Sequence, residues 1–209
     1  MPIRAVRIWS VLLTLSVVGP GCAGGAFSAG GGAELTSAAH EHRLNAKLTT
    51  IVYEPSRDGG AVDYYLSDLP PEVWRRGGDV SGHSGNLIHI HLFIAPRAGS
   101  TPIATAASSA TVRWLVLARG SVGVYGGGGF CRESGDPGDR SLGGSIREAS
   151  LRLLRLSPGF EDRLGAGQMS ASFSARLDPA EAGLMARALS ALTAQAGEAA
   201  HAPTVEEAH

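Results

Sequence analysis

Apolar and polar residues alternate along several segments of the chain, and the clearest of these runs from residue 86 to residue 94. Ile88, Ile90, Leu92 and Ile94 recur at every second position, so a strand would place all four side chains on one face. A strand with one fully apolar face needs cover on that face. The pattern therefore predicts a strand in the middle of a sheet.

Further segments show strand-like patterning, and in the last of them apolar residues alternate regularly with polar ones, mostly serines. One-sided patterning of this kind is typical of antiparallel sheets. The segment 145–156 also fits a helix, and we interpret it as a strand. The glycine run Gly126–Gly129 predicts a bulge or wide turn that needs positive φ. The segments are 44–53, 61–66, 111–118, 121–125, 145–156 and 168–177.

Two segments carry the start signals of helices. Asp178, Pro179 and Glu181 match an N-cap acid, a proline in the first turn and a capping-box glutamate. An apolar stripe at helical spacing follows, and Gly197 ends the pattern. Earlier in the chain, residues 68–74 predict a single helical turn led by prolines. The stripe consists of Ala182, Met185, Leu189 and Leu192.

Together these patterns predict a mainly β fold, an antiparallel β-sandwich or curled sheet of about seven strands with a C-terminal α-helix. The composition divides the chain into four regions. These are a signal peptide (1–21), a flexible tether rich in Gly, Ala and Ser (22–43), the β-rich domain with its helix (44–196) and a disordered tail (197–209).

The first residues have the layout of an export signal. Arg4 and Arg7 supply positive charge, and the apolar run 8–18 is too short to cross a bilayer core of about 30 Å. Small residues then precede Cys22. This segment, residues 1–23, resembles the lipobox signal peptide of bacterial lipoproteins.

The resemblance implies that Cys22 is acylated, with palmitate or a similar chain, and becomes the mature N-terminus. The protein would then be held at a membrane through its N-terminal lipid, with the tether between lipid and domain. Ala23, in place of an aspartate, favours the outer membrane or the cell surface, facing the periplasm or the exterior. The alternative is ordinary signal-peptide cleavage after Ala23 or Ala26.

Charge and cysteine content narrow the possible partners. The formal net charge is −1, and no basic stripe is interleaved with aromatic residues, so nucleic acid is not an expected partner. The two cysteines, Cys22 and Cys131, form no CxxC pair, which excludes a zinc finger. The expected partners are the membrane and an envelope component that the sequence does not identify.

His89 and His91 form the one pair of candidate ligands or bases with a defined geometry. Because they are two residues apart on a strand, they share a face, with Cβ atoms about 6–7 Å apart. Two imidazoles at this spacing can converge on zinc if a third ligand joins them. Otherwise both rings lie on the wetter face of the sheet, stacked on neighbouring side chains. Candidates for the third ligand are His83, Asp79, Glu54 and Cys131.

Three functions are open on the sequence alone. We favour a non-catalytic binding or structural β-domain of the cell envelope, because spacing places no carboxylate pair and no Ser/His/Asp set. The second function is metal binding through His89 and His91. The third is a small-ligand carrier with a pocket between the sheet and the C-terminal helix. A filled core with an exposed aromatic patch would favour the first.

Overall fold

The computed structural model describes residues 30–56, 61–75, 80, 82–93 and 108–198. These residues form ten strands and two helices. In chain order the elements are β1 (Gly31–Ser37), β2 (Arg43–Leu48), β3 (Thr50–Pro55), β4 (Val62–Ser67), α1 (Glu72–Arg75), β5 (Gly85–Leu92), β6 (Ala110–Ala118), β7 (Ser121–Ser134), β8 (Ser141–Leu156), β9 (Gly167–Leu177), α2 (Pro179–Gln195) and β10 (Gly197–Glu198).

Strands β3 to β9 close the sheet on itself. Neighbouring strands from β3 to β8 run antiparallel, β8 also pairs with β9, and β9 returns to β3. This last contact is short and parallel, and it joins Val52 to Arg176 and Tyr53 to Leu177. β1 and β2 extend the sheet beside β9, and β10 pairs with the end of β8. Closure leaves few unpaired strand edges among these elements.

Large side chains fill the space inside the closed sheet. On β5, Ile88, Ile90 and Leu92 are fully buried, as the alternation predicts, while Ile94 lies outside the described residues. Together with the other buried side chains they form one hydrophobic cluster inside the sheet. The largest fully buried residues of this core are Trp114, Tyr53, Tyr64 and Tyr125.

Helix α2 covers part of the outer surface of the closed sheet through its predicted apolar stripe, which is buried. The N-cap prediction is confirmed, because the Asp178 carboxylate accepts a hydrogen bond from the Glu181 amide at 3.1 Å. The Glu181 carboxylate has hydrogen-bond partners other than the one expected in a capping box. It accepts hydrogen bonds from the Trp74 indole at 2.6 Å and from Arg75 at 3.0 Å. These contacts tie α1 to α2.

The first strand corrects the predicted tether. The sequence predicts a flexible segment from residue 22 to residue 43, but β1 pairs with both β2 and β9 and buries Leu35 in the core. A Cβ atom at Gly31 would collide with Phe173, so glycine permits the close approach of β1 to β9. The prediction of a tether is therefore wrong for β1, which belongs to the domain.

The glycine run Gly126–Gly129 lies within β7 and does not end it. The predicted bulge is present, since the register between β7 and β8 shifts between Gly129 and Cys131. The predicted need for positive φ is wrong, because none of these glycines lies in that region. Instead, a Cβ atom at Gly127 would overlap the carbonyl oxygen of Ser150. Glycine is needed here because two backbones approach closely.

The predicted fold class is confirmed, although the described residues form ten strands where the sequence predicts about seven. The molecule is mainly β, with a curled and largely antiparallel sheet and α2 at its C-terminal side. The segment 145–156 is part of β8, whereas the strand predicted over 44–53 is divided at Thr49 into β2 and β3. Of the predicted tail, residues 197 and 198 form β10 and the rest lies outside the described residues. Neither of the two described helices has the length and apolar character of a membrane span.

Candidate functional site

Part of the outer surface of the closed sheet is not covered by α2, and it carries the two predicted histidines. His89 and His91 project from β5 on the side opposite its buried isoleucines. On β4, Asp63 lies opposite His91 and Tyr65 lies opposite His89. The pairing of β4 with β5 therefore adds a carboxylate and a phenol ring to the histidine pair.

Asp63 bonds both histidines through one carboxylate oxygen. Its Oδ1 lies 2.7 Å from Nε2 of His89 and 2.8 Å from Nδ1 of His91. An ionised carboxylate can only accept hydrogen bonds, so both of these nitrogens carry protons. Nδ1 of His89 and Nε2 of His91 are left for other partners. His91 is the more accessible ring, since its side chain is 37% exposed and that of His89 is 18% exposed.

Two opposing effects act on the pKa of Asp63. Partial burial raises this pKa because it removes the carboxylate from water. The hydrogen bonds and charges of His89 and His91 act in the other direction, and they hold the pKa of Asp63 below its ordinary value. Asp63 is therefore ionised at neutral pH and holds both imidazoles in fixed orientations.

The same face carries Tyr65, His89, His91 and Phe93, which we call the aromatic row. Tyr65 and His89 stack, with ring centroids 4.7 Å apart and planes inclined by 11°. The centroids of His89 and His91 are 6.4 Å apart, as are those of His91 and Phe93. Tyr65 is buried beside the side chains under α2, whereas Phe93 is 40% exposed. The row thus runs from the covered part of this face to solvent.

The structure supplies only part of the geometry that the metal hypothesis needs. His89 and His91 share a face, but one nitrogen of each ring is bonded to Asp63. Among the described residues, no group of three or more His, Cys, Asp or Glu side chains is arranged to hold a metal ion. Zinc binding at this face stays a hypothesis.

The four candidates for a third metal ligand lie in different places. Glu54 is on β3, beside β4, and His83 is in the loop before β5. Cys131 is buried inside the closed sheet, where burial raises the pKa of its thiol to about 12. Asp79 lies outside the described residues, and so does Cys22, the predicted site of lipidation. The structure instead brings Asp63, which the sequence analysis missed, within hydrogen-bond distance of both histidines.

The space between the sheet and α2, where the carrier hypothesis places a pocket, is filled by side chains. Met185, Leu189 and Leu192 pack there against residues of β3 to β7 such as Val52 and Leu115. Among the described residues, this packing leaves no support for a pocket at this place.

Within the described part of the chain, neither histidine is hydrogen-bonded to a hydroxyl or thiol that it could activate as a nucleophile. Every described hydrogen bond of His89 and His91 goes to Asp63, and none goes to a hydroxyl or thiol group.

Comparisons with known proteins add no family, because no family model, no curated protein and no solved structure matches the chain. The function is therefore argued from the geometry of this face.

Proposed function

We propose that the protein is an exported lipoprotein whose β-domain binds an envelope partner and catalyses no reaction. In this proposal Cys22 carries the lipid and anchors the chain at the outer membrane or the cell surface, facing the periplasm or the exterior. The solvent-facing end of the aromatic row, at His91 and Phe93, is the binding surface. Its partner is a protein or a surface polymer of the envelope, and nucleic acid is not expected.

One observation carries the proposal: preformed aromatic side chains lie on the part of the sheet that α2 does not cover. Aromatic side chains supply much contact area at low conformational cost, and they are enriched where proteins bind partners. Phe93 presents an exposed ring at the end of the row. Asp63 holds His89 and His91 in place before any partner arrives. This preorganisation lowers the ordering cost of binding.

Charged groups flank the row and would orient a partner. Arg113 on β6 lies opposite His89 and is exposed, and Glu54 on β3 lies opposite Asp63. An aromatic centre within a polar rim is the usual composition of a protein interface. Charges at a rim contribute more to orientation and specificity than to affinity.

Site-specific photo-cross-linking in cells that express the full chain tests the proposal. A photoreactive phenylalanine analogue replaces Phe93 in one variant. In the matched control it replaces Ser172, which is exposed on β9, a strand that pairs with neither β4 nor β5. We expect a discrete cross-linked species from position 93 that is lost when His91→Ala is added, and none from position 172. Equal yields at the two positions, or no species from position 93, would contradict the proposal.

A further inference from the structure

A cavity lies at one end of the closed sheet, and no residue of the aromatic row lines it. The start of β2, the end of β6, the start of β7 and the connection between β8 and β9 surround it. Its volume is about 430 Å³, within the range of small-molecule sites. A second depression of about 410 Å³ adjoins it and shares Leu44, Val116 and Ala118 with it.

Apolar side chains that the core leaves partly uncovered form the floor of this cavity. Leu44, Val116 and Phe160 pack against the buried core but are themselves only half-buried. The hydroxyl of Tyr125, which also lines the cavity, already donates a hydrogen bond to Asp162 at 2.6 Å. The floor therefore offers an apolar surface that an apolar ligand could cover, with a gain from burial.

The charged groups that line the rim are Arg43, Arg163 and Glu161. Arg163 pairs with Glu161 at 2.8 Å, and Arg43 pairs with Glu34 outside the lining at 3.4 Å. All of these side chains are at least 36% exposed. Exposed ion pairs contribute little stability, so either arginine can exchange its partner at small cost. A guanidinium binds a carboxylate or phosphate through two parallel hydrogen bonds.

We propose that this cavity binds a single-chain anionic amphiphile. Its acyl chain lies on the floor of Leu44, Val116 and Phe160, and its anionic head lies at Arg43 and Arg163. The site is separate from the aromatic row, so it stands or falls independently of the envelope partner proposed above.

Trp114 provides a reporter for this site. It lies two residues before Val116 on β6 and faces the same side, and its indole donates to Asn86 at 2.8 Å. The indole of Trp74 is bonded to Glu181 beside α2 and serves as the internal control. In ¹⁵N-labelled mature protein, decanoate below its micellar concentration should shift the Trp114 indole resonance and leave that of Trp74 in place. Decanol should bind about tenfold more weakly, and decyltrimethylammonium more weakly still.

Substitutions at the cavity test the contacts proposed for the acyl chain and for the anionic head of the ligand. Ala118→Phe adds a ring to the cavity from an exposed position, and Arg43→Gln removes a donor for the head group. Each should weaken decanoate binding at least about tenfold. Arg152→Gln, an exposed substitution on β8 outside the cavity, should leave the affinity unchanged.

Several results would overturn the proposal. The first is that decanoate leaves the Trp114 resonance unshifted, and the second is that Ala118→Phe, folded by the criterion of its Trp74 resonance, binds as the wild type does. If Ala118→Phe does not fold, wild-type affinity in the double variant Arg43→Gln/Arg163→Gln overturns the proposal. Equal affinity for the cationic amphiphile does so as well, since the anionic head is part of the assignment.

Discussion

At the scale of single residues, Asp63 organises the candidate site. It fixes two imidazoles through one oxygen and leaves one nitrogen of each ring for other partners. The sequence predicts that His89 and His91 share a face, because a strand has a side-chain period of two. It does not predict Asp63 as their partner, since the alternation within residues 61–66 shows which residues share a face but not their register against the next strand. That register depends on turn geometry and core packing.

Replacing Asp63 with asparagine tests the ion pairs. Because the pKa of Asp63 is lower in the folded protein than in the unfolded chain, its ionisation stabilises the fold above about pH 4, and this contribution is lost as the pH falls through the folded pKa. Asp63→Asn should therefore lower the free energy of unfolding by about 1–2 kcal/mol at pH 5, with a difference that shrinks towards pH 2. Urea unfolding across this pH range measures it. Asp136→Asn, in an exposed turn, is the control, and a deficit of equal size at every pH would argue against the ion pairs.

At the scale of elements, periodic segments were predictable and small-residue segments were not. The stripe of α2 and the alternation of β9 have a clear period marked by large residues such as Leu189 and Phe173, and both predictions are confirmed. β1 carries the same alternation, but its small residues resemble a flexible linker in composition. β1 belongs to the domain because it approaches β9 closely, with Gly31 against Phe173. These two residues are distant in sequence, so no local pattern reveals the contact.

The packing of α2 gives a stability prediction. Leu189 is buried between α2 and the sheet, so Leu189→Ala should lower the free energy of unfolding by about 2–5 kcal/mol. Ser190→Ala, one residue further on the exposed side of the helix, should change it by less than about 0.5 kcal/mol. Denaturant unfolding compares the two variants. Similar small effects at both positions would show that α2 does not cover the sheet.

The glycine run gives a second prediction at this scale. Gly127→Ala should destabilise the domain by about 1–3 kcal/mol, because the added Cβ meets the backbone of β8. Gly32→Ala is the matched control, since a Cβ there would lie 3.8 Å from its nearest neighbour, an ordinary contact. Thermal unfolding of both variants checks the difference. Equal midpoints would mean that β7 and β8 are further apart than the structure places them.

At the scale of the whole molecule, the sequence predicts the fold class but not the closure of the sheet. Closure depends on the short parallel contact between β3 and β9, strands far apart in the chain, and neither strand carries a local signal for it. The predicted localisation at the cell envelope, by contrast, rests on local composition alone, so it can be argued from residues 1–23 without the fold.

Acylation of Cys22 is the prediction on which this localisation depends. Cells that express the full chain are grown with a clickable fatty-acid analogue. The wild-type protein should become labelled, whereas Cys22→Ala should lose the label and leave the membrane fraction. Cys131→Ala serves as the control and should keep the label, because its thiol is buried in the core. Equal labelling of wild type and Cys22→Ala would rule out a lipid at this position.

Thiol labelling in cells tests the central claim, that an exported domain holds a partner on its aromatic row. Cys131 is buried and an acylated Cys22 has no free thiol, so an introduced cysteine is the reactive one. With a maleimide that cannot cross the inner membrane, Phe93→Cys should react slowly in cells with a permeabilised outer layer and rapidly in the purified protein. Ser172→Cys should react equally in both. Equal rates for Phe93→Cys in the two preparations would contradict the claim, and so would failure of the reagent to reach either cysteine in cells.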